Sequence, residues 1–120
     1  MNEDSYEPII RLFSLLAHPA RLRILDVLRC GEACVCHLQA ALRAPQPYVS
    51  QQLRVLREGG LIACRREGLF VYYRLADQRV AHLLADLLGP ATEASSDLQC
   101  TCPRCRETAS FEPIFLVEVN

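Results

Sequence analysis

Lysine is missing from this chain of 120 residues: all thirteen basic side chains are arginine. A GC-rich coding sequence accounts for that bias as well as phosphate chemistry does, so it carries no functional weight. Long apolar runs are missing too. None approaches the ~18 residues that a membrane span needs, and the acidic start, Met1 to Glu7, is unlike a secretory signal. The chain is therefore expected in the cytoplasm, with no membrane partner. No Ser/His/Asp set, paired acids or Gly-rich phosphate loop stands out, so catalysis is not expected. There is neither an internal repeat nor a low-complexity run.

Half of the residues, 51%, are hydrophobic, enough for one packed domain with a tail. Ile9, Leu12, Phe13 and Leu16 give a first amphipathic helix, ended by His18-Pro19. Pro19 also suits the first turn of a second helix, with Leu22, Leu25 and Leu28 inward and Gly31 as its stop. Cys34 to Leu42 reads as a third, short helix with Val35, Leu38 and Leu42 as its stripe. Ala44-Pro45 breaks the chain before a helix over Gln46 to Gly59, as in a helix-turn-helix. Leu61 to Arg66 and Phe70 to Leu75 read as two strands around Glu67-Gly68. Asp77 caps a last helix carrying Val80, Leu83, Leu84, Leu87 and Leu88, and Gly89-Pro90 ends it. The expected fold is mainly α with a small β-hairpin: a winged helix-turn-helix over residues 1–90, then a tail over 91–120.

The helix from Gln46 organises the rest. Val49, Leu53 and Leu56 form its buried stripe, leaving Pro47, Ser50, Gln51 and Arg54 on the opposite face and Arg57 at its margin. Hydroxyl, amide and guanidinium groups reach phosphates and base edges in a major groove. An ordinary solvated helix face is the alternative. The segment from Arg43 to Arg74 holds six Arg against two Glu, a local charge of about +4, whereas the whole chain is −1. The expected partner is double-stranded DNA. Its contacts would be Gln46, Tyr48, Ser50, Gln51, Arg54 and Arg57 on the helix, and Arg65 and Arg66 on the hairpin wing. The last helix has a stripe wider than so small a core needs. Leu83, Leu84, Leu87 and Leu88, with Leu12 of the first helix, are therefore a candidate homodimer surface; extra core packing is the alternative.

Four segments together resemble the ArsR/SmtB family of bacterial metal-responsive repressors. They are Leu16-Ala-His-Pro-Ala-Arg-Leu-Arg-Ile-Leu25, Gly31-Glu-Ala-Cys-Val-Cys-His-Leu38, Val49-Ser-Gln-Gln-Leu53 and Gly68-Leu-Phe-Val-Tyr-Tyr-Arg-Leu75. The match runs over roughly residues 8 to 89, in the family's order and spacing. The resemblance implies a homodimeric winged helix-turn-helix repressor that leaves its operator when an effector binds. The chain departs from the family pattern at Gln52, where His is usual, and in Ala33-Cys-Val-Cys-His-Leu38, where the family reads Leu-Cys-Val-Cys-Asp-Leu. Arsenic sensors with three local thiols carry a further Cys at the position of Gln39.

Seven cysteines are many for a cytoplasmic chain of this size, and an odd number argues against a complete disulfide framework. On an ideal helix Cys34 and Cys36 diverge by about 200°, so one ion holds both only if the helix start unwinds or its side chains re-aim. Two small half-buried cysteines without a ligand are the alternative, and the resemblance favours ligation. Cys100, Cys102 and Cys105, at C-x-C-x-x-C spacing, either complete that site or form a separate metal knot or reactive thiols. Three thiolates suit As(III) or Sb(III), and four suit Cd(II) or Zn(II); Pb(II) is a further soft candidate. The spacer from Pro90 to Gln99 reaches ~30 Å. Cys30 and Cys64 read as packing residues. Asp77, His82 and Asp86 make only a partial set for a zinc site on the last helix. A thiol redox repressor of the same fold, or a winged helix used only for protein contacts with a zinc knot in its tail, are the rival readings.

Overall fold

The computed structural model describes residues 5–91. The tail with Cys100, Cys102 and Cys105 and the apolar run over 111–119 lie outside the described residues. The element order is α1 (Glu7–Leu16), α2 (Pro19–Leu28), β1 (Ala33–Cys34), α3 (Val35–Leu42), α4 (Gln46–Glu58), β2 (Ile62–Glu67), β3 (Phe70–Leu75) and α5 (Gln78–Leu88).

Local chemistry explains most boundaries. His18 ends α1 and also starts α2: its Nδ1 accepts from the Ala20 N–H at 3.2 Å, with Pro19 in the first turn. Arg43 turns α3 off through a left-handed conformation, φ 53°, and Pro45 then enters α4 with an extended backbone. Asp77 caps α5 by accepting from the Arg79 N–H at 2.9 Å. Gly89, at φ 88°, closes that helix where a side chain would be strained.

The helices share one core. Ile24 and Leu25 of α2, Leu38 of α3, and Val49, Leu53 and Leu56 of α4 are fully buried together with Leu61, Val80 and Leu84. Burying each such side chain contributes about 1.5–3 kcal/mol. Truncating Leu53 to Ala would cost about 2–5 kcal/mol and would loosen α4 first, because that residue anchors its midpoint.

Three expectations change. Cys34 is not in a helix: it has an extended backbone (φ −86°, ψ 169°) and caps α3 from outside. The divergence expected of two helical cysteines therefore does not apply. Ala33 and Cys34 instead form a third strand, giving a sheet of order β1-β3-β2 where a two-stranded hairpin was expected. All pairings are antiparallel, with Cys34 opposite Tyr72 and Arg65 opposite Tyr72 on its other side. Finally, Leu84 is 1% exposed and belongs to the core, not to a dimer surface. At i and i+4, Val80 and Leu84 share the inward face of α5.

Candidate nucleic-acid interface and thiol site

Helix α4 presents the face its sequence pattern promised. Gln46, Pro47, Tyr48, Ser50, Gln51, Arg54 and Arg57 are all exposed, while Val49, Leu53 and Leu56 hold the helix to the core. Arg54 makes only a loose ion pair with Glu58, 3.8 Å apart with both side chains 69% exposed, so its guanidinium is available to another anion. Arg57 leans on the wing, donating from Nη1 to Cys64 Sγ at 3.7 Å.

Gln52 is the exception on this helix. It is buried, and its Oε1 accepts from Arg21 Nη1 at 3.2 Å. Arg21 also donates through Nε to the Leu15 carbonyl at 2.9 Å and through Nη2 to the Ser14 carbonyl at 3.2 Å. One guanidinium thus ties the end of α1 to the middle of the recognition helix. Sequence periodicity could have flagged Gln52, which falls beside Leu53 and Leu56 on the inward arc, but not its partner 31 residues away.

On the wing the two candidate arginines differ. Arg66 is exposed, and its side chain makes no hydrogen bond or ion pair among the described residues. Arg65 is already engaged: Nε donates to both carboxylate oxygens of Glu32, at 3.1 and 2.9 Å, and Nη2 donates to Oε1 at 2.8 Å. Glu67 lies 3.6 Å from Nη1, and the guanidinium stacks 4.9 Å from the centroid of the Tyr72 ring. The hydrogen bonds from Arg65 hold the Glu32 carboxyl below its ordinary pKa. Burial pushes the neighbouring Tyr73 phenol up. Sequence reading did not single out Glu32 as the partner of Arg65. At the hairpin tip it also missed Leu69, 94% exposed and an unusual apolar presence on a polar wing.

Cys34 and Cys36 lie at the β1–α3 junction. Cys34 is 3% exposed and Cys36 is half-buried in the first turn of α3. Cys34 makes no side-chain cap to that turn. Among the described residues, no three His, Cys, Asp or Glu side chains come together as a metal site. The two cysteines are two residues apart in the chain, one on each side of the start of α3. Asp77 caps α5 and pairs with Arg79 at 2.7 Å. Cys30 is exposed, contrary to the packing role expected for it, and Cys64 is half-buried on β2.

The candidate dimer residues divide by burial. Leu12 and Leu83 are half-buried and Leu84 is in the core, whereas Leu87 and Leu88 are 71% and 53% exposed. Helix α1 adds Ile9, Ile10 and Phe13, also large apolar side chains in the open.

A short helix, a turn and a second helix with a polar outward face, followed by a hairpin, define a winged helix-turn-helix. Comparison with known proteins agrees. Residues 18–63 match the model described as bacterial regulatory protein, arsR family. A transcriptional repressor SmtB homolog of Synechocystis is 42% identical over 94 residues, covering 78% of this chain and 71% of that protein. The arsenical resistance operon repressor of Escherichia coli is 47% identical over 68 residues, covering 56% and 58% of the two chains. In three dimensions the chain resembles a homodimeric winged helix-turn-helix DNA-binding domain of Mycobacterium bovis, described as a possible ArsR-family transcriptional regulator. That likeness has a TM-score of 0.65 and 34% identity, over 73% of this chain and 84% of that one.

The chain belongs to the arsR family of bacterial regulatory proteins. It is a DNA-binding transcriptional regulator and not an enzyme. Among the described residues no helix is long and apolar enough to cross a membrane.

Proposed function

We propose that this chain is a homodimeric repressor that reads operator DNA with α4 and is released by a soft metal or metalloid, As(III) first. The observation that carries the reading is the position of Cys34. It is a buried thiol at the junction between the wing's sheet and α3, the helix packed against the recognition helix. A ligand that draws this sulfur out must disturb elements on both sides of the junction, and this couples effector to DNA affinity.

Cys34 and Cys36 would supply two thiolates, and one of Cys100, Cys102 or Cys105 the third. The donor set favours As(III) or Sb(III) with three sulfurs, and Cd(II), Pb(II) or Zn(II) if a fourth joins. The Escherichia coli relative's description as an arsenical resistance repressor supports the metalloid. Homodimer formation is supported by the exposed Ile10, Phe13, Leu87 and Leu88, and by the homodimeric Mycobacterium bovis domain. In DNA recognition Ser50, Gln51 and Arg54 would meet base edges or phosphates in the major groove, flanked by Gln46, Tyr48 and Arg57, and Arg66 would meet backbone phosphate beside it.

The test is operator binding by a duplex selected from a random-sequence library, followed by titration with sodium arsenite under strong reductant. Salt-dependent binding that arsenite reverses is the expected outcome. A protein truncated after Gln99 should bind the same duplex and ignore arsenite; one that responds like the full chain would confine the sensor to residues 1–99. X-ray absorption of the loaded protein counts the sulfur ligands.

A further inference from the structure

The sheet order β1-β3-β2 puts the thiol strand and the outer wing strand on opposite sides of β3, so they share no backbone hydrogen bonds. Yet they are joined. Cys34, Tyr72 and Arg65 form one row across the three strands. Above that row Arg65 reaches over the Tyr72 ring and takes the carboxylate of Glu32, the residue just before β1, in a two-edged grip of 2.8–3.1 Å. The result is a closed circuit: Glu32 to Arg65 through side chains, Arg65 to Tyr72 to Cys34 through strand pairing, and Cys34 back to Glu32 through two peptide bonds. Strand β1 has only two residues, with two register partners on β3, so it is a weakly held edge. The side-chain tie is its second hold.

We propose that Glu32 and Arg65 form a strap that fixes the wing in its DNA-binding pose and is opened when a ligand draws on Cys34. This rests on the repressor reading above and specifies how its thiol site speaks to the DNA. Arg65 is then a positioning residue and not a phosphate contact, because Glu32 and Glu67 already surround it with negative charge. Ligation at Cys34 shifts β1, and Glu32 moves with it. The wing loses its tie to the body of the domain, and a wing free to move contributes less to binding than a fixed one.

Charge makes the strap separable from simple electrostatics. Glu32→Gln removes a negative charge beside the DNA, which alone would tighten binding and steepen its salt dependence. The strap requires the reverse: binding weaker by about fivefold or more, with a smaller arsenite effect. Arg65→Gln should weaken binding similarly and leave the salt slope unchanged. The Glu32→Gln/Arg65→Gln double variant has the wild-type net charge. Electrostatics alone returns it to wild-type affinity, whereas the strap leaves it as weak as either single variant.

The experiment measures duplex affinity by fluorescence anisotropy at several salt concentrations, with and without arsenite, in all four proteins. In parallel, mass spectrometry follows the rate at which iodoacetamide alkylates Cys34 without DNA. Faster alkylation in each variant, with the affinity pattern above, supports the strap. Equal alkylation rates, or a double variant that regains wild-type affinity and arsenite response, overturns it. A wild type that binds no duplex or ignores arsenite overturns the repressor reading and with it the coupling; the alkylation rates still decide on their own whether Glu32 and Arg65 hold β1.

Discussion

Replacing Cys34 by serine tests the thiol site, and its effect on stability follows from two opposed terms. The side chain is 3% exposed, so a hydroxyl left there without a partner costs about 1–3 kcal/mol. The same residue is the N-cap of α3, with extended backbone and no side-chain cap of its own. Serine is among the best N-cap residues, and its oxygen can accept from a first-turn N–H, which contributes about 0.5–2 kcal/mol. The terms nearly cancel, and Cys34→Ser should lie within about 1 kcal/mol of wild type. Cys34→Ala has no cap to offer and loses the buried sulfur, at about 0.8 kcal/mol for a methylene-sized group, so it should be the less stable of the two. Urea denaturation of the reduced, metal-free proteins measures both differences. Because both variants keep the fold, both should bind operator DNA normally and fail to release it on arsenite addition. Cys36→Ser, at a half-buried position, should do the same with little change in stability. A serine variant destabilised by more than 3 kcal/mol would refute the capping argument, and one that still responds to arsenite would remove Cys34 from the site.

Leu84→Glu puts a charge in the core and should give an unfolded or aggregated protein, whereas Leu87→Glu, on a side chain 71% exposed, should give a folded monomer with weakened operator binding. Sedimentation and circular dichroism separate the two, and a dimeric Leu87→Glu protein would move the interface elsewhere. Arg54→Ala should weaken selected-site binding by about 1–3 kcal/mol without altering the melting curve, while Arg66→Ala should lower the salt slope by about 0.9 for all duplexes alike; unchanged binding in both would dismiss the docking geometry. The Asp77 carboxylate is held below its ordinary pKa by the hydrogen bond from the Arg79 side chain and by capping α5. Its contribution is full above the ordinary value of 3.8 and is lost as the pH falls through the lower folded value. Asp77→Ala should therefore cost about 1 kcal/mol at neutral pH, with a smaller gap from wild type in acid; a gap independent of pH would rule out the carboxylate as its source.

Where a property is local, the sequence was enough. Helical stripes three and four residues apart, His18-Pro19 between the first two helices, Asp77 as a cap and the turn at Gly68 all report interactions within a few residues. The caps, the turn, the buried stripe of α4 and its outward polar face are found where the pattern put them, whereas Ile9 and Phe13 of the α1 stripe and Leu87 and Leu88 of the α5 stripe are exposed. The family resemblance rests on the same segments. What needed the tertiary structure were choices made by distant partners. Cys34 reads as the start of a helix, and it becomes a strand because Tyr72, thirty-eight residues on, offers backbone groups to pair with. Leu84 and Leu87 look alike on one stripe, and only the position of α5 against the core decides that the first is buried and the second exposed. Gln52 breaks the apolar pattern of its face because Arg21 satisfies it there. Arg65 looks like a free cation for DNA until Glu32, thirty-three residues earlier, is seen to hold it. Periodicity records which side of an element faces inward, but long-range pairing depends on how the chain returns on itself, and no local spacing encodes that.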